Sequence, residues 1–183
     1  MSADTAVLAV DIQQSFPRTS YWREDDVPAF RDAVLRVLRA AADRGWPVVR
    51  ILHQENNDGP FGPAAGLVRP LDWMPEAVAV TFRKSVHNAF TDTGLEQWLR
   101  ERGIHRLVVI GIRTEQCCET TSRVASDLGF DVDFVTEATL TFPMVHAASG
   151  RRYDVDEIKQ RTELVLDGRF ARIRSVDALV AGD

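Results

Sequence analysis

Two adjacent cysteines, Cys117 and Cys118, are the only thiols in the 183-residue chain. The first closes the segment Gly111-Ile-Arg-Thr-Glu-Gln-Cys117, which reads as a turn leading from an apolar run into a helix opened by Thr114 as N-cap. A thiol in a first helical turn lies at the positive end of the helix dipole, among N–H groups without intrahelical partners. Both favour the thiolate, and the same N–H groups can face a developing oxyanion. This is the chemistry of a nucleophile. The plainer alternative is a small buried hydrophobe, the commonest role of a free cysteine. Cys118 lies about 100° further round the helix and reads as packing inward. Neighbouring Cα atoms are about 3.8 Å apart, closer than ordinary disulfide geometry tolerates. A vicinal redox pair is therefore a minor alternative, and no second cysteine pair or suitably spaced histidine completes a metal site.

Three more side chains invite a chemical reading. Asp11 ends an apolar run, where a charge is costly without a purpose. It suits a base that takes the thiol proton and returns it to a leaving amine; a solvated loop carboxylate or helix cap is the bland reading. A strand-end aspartate holding magnesium is a third, but its next acidic neighbours are Glu24 and Asp25, well down the loop. Lys84 can act as a point charge holding carboxylate and thiolate together, or be a surface lysine. His53 follows another apolar run and is either a participant or a hydrogen-bonded rim histidine; His87, His105 and His146 show no metal spacing with it. No Gly-x-Gly-x-x-Gly or phosphate-loop signature occurs.

These residues need a scaffold, and the hydrophobic pattern supplies one. Apolar runs at 5–10, 47–52, 77–82, 105–110 and 130–135, with a short one at 171–173, read as strands. Helical spacing from Pro28 to Gly45, and again over 92–102, 114–128 and 155–166, alternates with them, and a last helical turn or two follows Ser175. Strands alternating with helices predict a three-layer α/β/α, Rossmann-like domain over 1–183, with a mostly parallel sheet of about six strands. In such sheets ligands bind beyond the carboxyl ends of the strands. Asp11, His53, Lys84 and the Gly111–Cys117 turn all fall there. Residues 55–76, dense in glycine and proline, form a long connection of the kind that serves as a lid or a substrate wall.

Composition narrows the partners. Hydrophobic residues make up 45% and charged residues 27%, ordinary for a globular protein, and the net charge of −5 argues against nucleic acid. No basic run exceeds a pair, and no apolar stretch approaches the roughly 20 residues of a membrane span. The stretch from Ala6 to Val10 is broken by Asp11 and lacks the basic flank of a signal peptide. Free thiols suit a reducing cytoplasm. The expected partner is a small molecule in a cytoplasmic setting, with no membrane and no nucleic acid.

In this order the motifs resemble the isochorismatase-like cysteine hydrolases, the superfamily of nicotinamidases, N-carbamoylsarcosine amidases and ureidoacrylate hydrolases. Asp11-Ile-Gln13-Gln-Ser-Phe16 is similar to the family's Asp-x-Gln-x-x-Phe. Lys84 followed by Asn88-Ala-Phe90, Thr93 and Leu95 is similar to its Lys…Ser-Ala-Phe…Thr…Leu stretch. Leu107 to Thr121 resembles its strand, Gly-x-x-Thr and Cys-Val-x-x-Thr segment; Arg161-Thr162-Glu-Leu and Gly168-Arg-Phe170-Ala-Arg resemble its closing helix and strand.

The resemblance implies a triad of Asp11, Lys84 and Cys117, a cis peptide between Ile112 and Arg113, and an oxyanion hole from the backbone N–H groups of Arg113 and Cys117. Gln13, Phe16, His53 and Phe90 are candidates for substrate binding; Phe16, Trp22, Trp73, Phe90 and Phe142 read equally as apolar walls or as core or interface residues, and the resemblance implies a homo-oligomer of two or four subunits. The Asp-x-His and additional His that hold a metal in nicotinamidases have no counterpart in Ile51-Leu-His53-Gln-Glu55, so neither a metal nor another cofactor is expected. Relatives that cleave the vinyl ether of isochorismate often lack the cysteine, so Cys117 favours amide-type C–N cleavage. Vinyl-ether hydrolysis without the thiol, or a binding or redox protein on the same scaffold, are the alternatives. Arg113 stands where a small residue is usual, and Cys118 where Val is usual. An Arg113 side chain in the pocket implies an anionic substrate; one at the surface implies a subunit contact.

Overall fold

In the computed structural model, which describes residues 4–182, the first apolar run is strand β1 (Thr5–Val10), buried at all six positions. Burial on both faces is what a continuous apolar run predicts. The chain continues through helix α1 (Val27–Asp43), β2 (Val48–His53), β3 (Val80–Lys84), α2 (Leu95–Glu101) and β4 (Arg106–Ile112). A π-helical turn over Thr114–Cys118 leads into α3 (Glu119–Asp127), followed by β5 (Asp131–Leu140) and a small hairpin of β6 (Met144–Val145) and β7 (Arg152–Tyr153). Helix α4 (Val155–Leu166), β8 (Arg172–Ile173) and α5 (Val176–Ala181) complete it.

Six strands form one sheet in the order β3-β2-β1-β4-β5-β8, and every pairing in it is parallel. Alternation along β1 divides the core. Val7 and Ala9 pack with Val34, Val37 and Ala41 of α1 and Leu179 of α5. Ala6, Leu8 and Val10 face Leu99 of α2, Ala125 of α3 and Leu166 of α4. The three-layer α/β/α architecture read from the sequence is the one observed.

The element boundaries differ where the signal was weak. Strand β3 runs from Val80 to Lys84 rather than over 77–82, because as an edge strand it pairs only with β2 and alternates in burial. Strand β5 extends to Leu140, well past 135. Its register against β4 shifts between Val109 and Gly111, so that Phe134 pairs with Val109 but Thr139 with Gly111. Helix α2 begins at Leu95, after Asp92 and Gly94 in left-handed backbone. The β6–β7 hairpin falls in a stretch to which no element was assigned, its strands being only two residues long.

Candidate active site

Strand order brings the reactive side chains together. Strand β1 lies at the centre of the sheet, between β2 and β4, so the residues just past β1 and β4 are neighbours, with the end of β3 two strands away. Asp11 follows β1 directly with φ of 52°, and its N–H donates to the Ile51 carbonyl at 2.9 Å, which fixes the carboxylate over the strand ends. Lys84 is the last residue of β3, in register with His53 at the end of β2. Cys117 comes from the turn after β4. The side chains of Asp11 and Lys84 are fully buried, and Cys117 is nearly so.

The Lys84 ammonium joins the group. Its Nζ lies 2.9 Å from Asp11 Oδ2 and donates to Cys117 Sγ at 3.3 Å and to the Val86 carbonyl at 3.1 Å. A fourth neighbour is His53 Nδ1, at 3.1 Å. Neither Asp11 oxygen has an aligned hydrogen bond among the described residues, which leaves lone pairs open for a proton. Burial works against the charge on Lys84, but Asp11 and Cys117 outweigh it and raise its pKa above the ordinary value. The lysine is therefore cationic over the whole working range.

The thiol corrects an expectation. Burial first, and then the Asp11 carboxylate, push Cys117 well above the ordinary thiol value, with Lys84 acting in the opposite direction. The positive end of a helix does not dominate here, because the nucleophile stands on a π turn ahead of α3 inside a closed site. At rest the thiol is protonated, and its activation needs a base. Thr114 likewise does not cap the helix: its hydroxyl donates to Thr139 Oγ1 at 2.8 Å, tying the turn to β5. The peptide between Ile112 and Arg113 is cis, and the Arg113 carbonyl accepts from the N–H groups of Gln116 and Cys118, at 3.2 Å each. Cys118 is fully buried, and burial raises its pKa.

The remaining sequence candidates separate. His53 joins the trio. Gln13 is fully buried and its amide is consumed by the scaffold: Oε1 accepts from His53 N at 2.7 Å, and Nε2 donates to the His53 carbonyl at 3.0 Å and to Ser15 Oγ at 2.8 Å. Phe16 is buried with its ring edge-on to Phe61, centroids 5.1 Å apart. Phe90 stacks on Phe130 beside the core cluster that contains Cys117. Trp73 packs on Phe30 in the core, while Trp22 and Tyr21 both meet Phe142. The Arg113 guanidinium pairs with Glu115 Oε1 at 2.8 Å and lies over the rings of Tyr21 and Phe142. It is nearly buried, and its partners lie within the chain. Sequence reading missed Glu55, whose Oε1 lies 3.4 Å from His53 Nε2, and Glu119, a buried carboxylate held by Arg123, Arg161 and Thr162. A glutamate two residues from a key side chain carries no signal of its own. No cluster of three His, Cys, Asp or Glu side chains able to hold a metal exists among the described residues, and no described helix is long and apolar enough to cross a membrane.

Comparison with known proteins bears on the family and the fold. The family model described as the isochorismatase domain matches residues 5–168. The isochorismatase family protein YrdC of Bacillus subtilis is 30% identical over 98% of this chain and 96% of its own length. Nicotinamidase 3 of Arabidopsis thaliana is 39% identical over 45% of each chain, and streptothricin hydrolase of Streptomyces noursei 32% over 79% of this chain and 57% of its own. A solved isochorismatase-family structure from Chromobacterium violaceum superposes with a TM-score of 0.89 at 29% identity, covering 99% of this chain and 94% of that one. With the fold and these matches in agreement, the chain belongs to the isochorismatase family and is one of its hydrolases.

Proposed function

We propose that this hydrolase cleaves an amide-type C–N bond of a small molecule through a thioester on Cys117. The observation that carries the reading is a buried trio in which one ammonium touches both the carboxylate and the sulfur, at 2.9 and 3.3 Å. As Sγ attacks the substrate carbonyl, Asp11 takes the thiol proton. The tetrahedral oxyanion is held by the N–H groups of Arg113 and Cys117. Its collapse breaks the C–N bond, and the amine departs with the proton from Asp11. Asp11 then takes a proton from water, whose oxygen attacks the thioester carbon; the carboxylic acid leaves, and the proton returns to sulfur. Throughout, Lys84 stays cationic and offsets the negative charge that would otherwise build up between carboxylate and thiolate.

The C–N class is supported by the kinship with Nicotinamidase 3 and by a thiol that shares the Lys84 ammonium with the Asp11 carboxylate. His53 and Phe90, with Phe16 behind Phe61, are the residues proposed to shape the substrate side. Gln13 acts there only through His53. The proposal includes a reducing cytoplasmic setting, suited to two free cysteines, and a homo-oligomer of two or four subunits, for which Met144, Val145 and Leu164 leave apolar surface exposed.

The test is a panel of primary amides, ureas and carbamoyl compounds assayed for release of ammonia or amine. A turned-over substrate should lose activity by roughly 10³-fold or more in Cys117→Ala and in Asp11→Asn. If Cys117→Ala hydrolyses a vinyl ether at the wild-type rate and no amide is cleaved, the thioester mechanism fails and acid catalysis by Asp11 alone takes its place.

A further inference from the structure

The Lys84 ammonium has three protons and four close acceptors: Asp11 Oδ2, Cys117 Sγ, the Val86 carbonyl and His53 Nδ1. Two of these belong to the proposed chemistry. The other two decide where the ammonium points. Of that pair, the Val86 carbonyl is backbone, but His53 is a side chain that the fold holds with unusual thoroughness. The Gln13 amide brackets it, accepting from its N–H and donating to its carbonyl. The Phe61 ring lies edge-on at 5.7 Å, and the His87 ring is 6.4 Å away on the loop after β3. Nε2 lies 3.4 Å from Glu55 Oε1.

This arrangement fixes the tautomer. An ammonium can only donate, so Nδ1 must carry the lone pair, and Nε2 carries the proton toward Glu55. We propose that His53 is a positioning residue for Lys84, whose neutral Nδ1 turns the ammonium so that it donates to Cys117 and sits against the Asp11 carboxylate. The charged and titratable groups around it come from each neighbouring element: Lys84 from β3, Asp11 after β1, Glu55 on its own loop and His87 opposite. Burial first and then Lys84 lower its pKa, against smaller raising contributions from Asp11 and Glu55. The ring is therefore neutral at neutral pH. Once protonated it would offer an N–H to an ammonium, and the contact at 3.1 Å would break.

This inference rests on the hydrolase reading for its purpose but not for its measurement. Nitrogen-15 NMR of histidine side chains in the whole protein should show His53 as the Nε2–H tautomer. Its titration midpoint should lie below about 6.5, the ordinary value, and rise when Lys84→Met removes the neighbouring charge. In parallel, Cys117 is alkylated with iodoacetamide at pH 7.5, resolved from Cys118 by mass spectrometry. His53→Asn keeps an acceptor where Nδ1 stood and should label within about twofold of wild type, while His53→Leu removes it and should label about tenfold more slowly. A His53 protonated at Nδ1, a midpoint unmoved by Lys84→Met, or equal labelling of the Asn and Leu variants would each overturn the proposal. If Cys117→Ala releases ammonia or amine from the amide panel at the wild-type rate, the hydrolase reading fails instead, and the tautomer and midpoint still decide the role of His53.

Discussion

Asp11, Lys84 and Cys117 share a buried space in which charges are not independent. A carboxylate and a thiolate together would place two negative charges against one ammonium in a low-dielectric site, so the resting state keeps the proton on sulfur. This has a consequence for stability. The Cys117 thiol is raised above its unfolded value of roughly 8.5, and burial raises Cys118 as well. As pH climbs through that value, the unfolded chain releases these protons while the folded chain retains them. The contribution is complete below about pH 8.5 and is lost progressively above it. Thermal unfolding followed from pH 7 to 10 should therefore show a declining midpoint in wild type and a flatter profile in the Cys117→Ser/Cys118→Ser double variant. Parallel profiles would mean that the thiols do not titrate on unfolding. His53 runs the other way: its pKa is depressed, so its contribution is present above about 6.5 and is lost on acidification.

The elements matter here through their ends. Strands β1 and β4 approach so closely that Gly111, at φ of 139°, has no room for a side chain: a Cβ there would lie 1.9 Å from the Val10 carbonyl oxygen. Gly111→Ala must displace one of the two strand ends that carry Asp11 and the nucleophile turn. The expected result is a loss of about 3 kcal/mol or more in denaturant unfolding, in the range of severe backbone conflicts. A fully stable Gly111→Ala protein would show that this junction gives way easily. Farther along, Glu119 anchors the start of α3 to α4 through Arg161 and Thr162, while Thr114 binds the preceding turn to β5. The nucleophile is thus held from both sides.

For the whole molecule, the central sheet divides the core into two clusters, and β1 and β4 contribute side chains to both. Neither layer of helices can leave without exposing residues of the other's sheet. We therefore expect 183 residues to unfold as one domain, with far-ultraviolet circular dichroism and tryptophan fluorescence giving coincident transitions. Separate transitions for the two probes would instead indicate two units. Because the sheet also sets the distances between strand ends, large-to-small changes in its centre, such as Leu8→Ala, are expected to cost about 2 to 5 kcal/mol.

Local sequence was enough for the elements that repeat an apolar pattern. Fully buried strands such as Thr5–Val10 and Arg106–Ile112, and the striped face of Val27–Asp43, announce themselves because burial demands apolar side chains at fixed spacing. The strand ends in turn named Asp11, Lys84 and Cys117 as candidates, since a parallel sheet gathers its ligand site there. What local sequence could not give was everything that depends on a partner distant in the chain. The direction of the thiol shift hinges on how deeply Cys117 is enclosed and on Asp11 lying 106 positions earlier. Arg113 takes its contacts from Glu115 and from the rings of Tyr21 and Phe142, the rings coming from other parts of the chain. That Gln13 grips His53, and that His53 touches Lys84, follows from the pairing of β1 with β2 and of β2 with β3. Pattern reports which residues must be buried; only the packed sheet decides which buried groups meet, because charge and hydrogen bonding act through space and not along the chain.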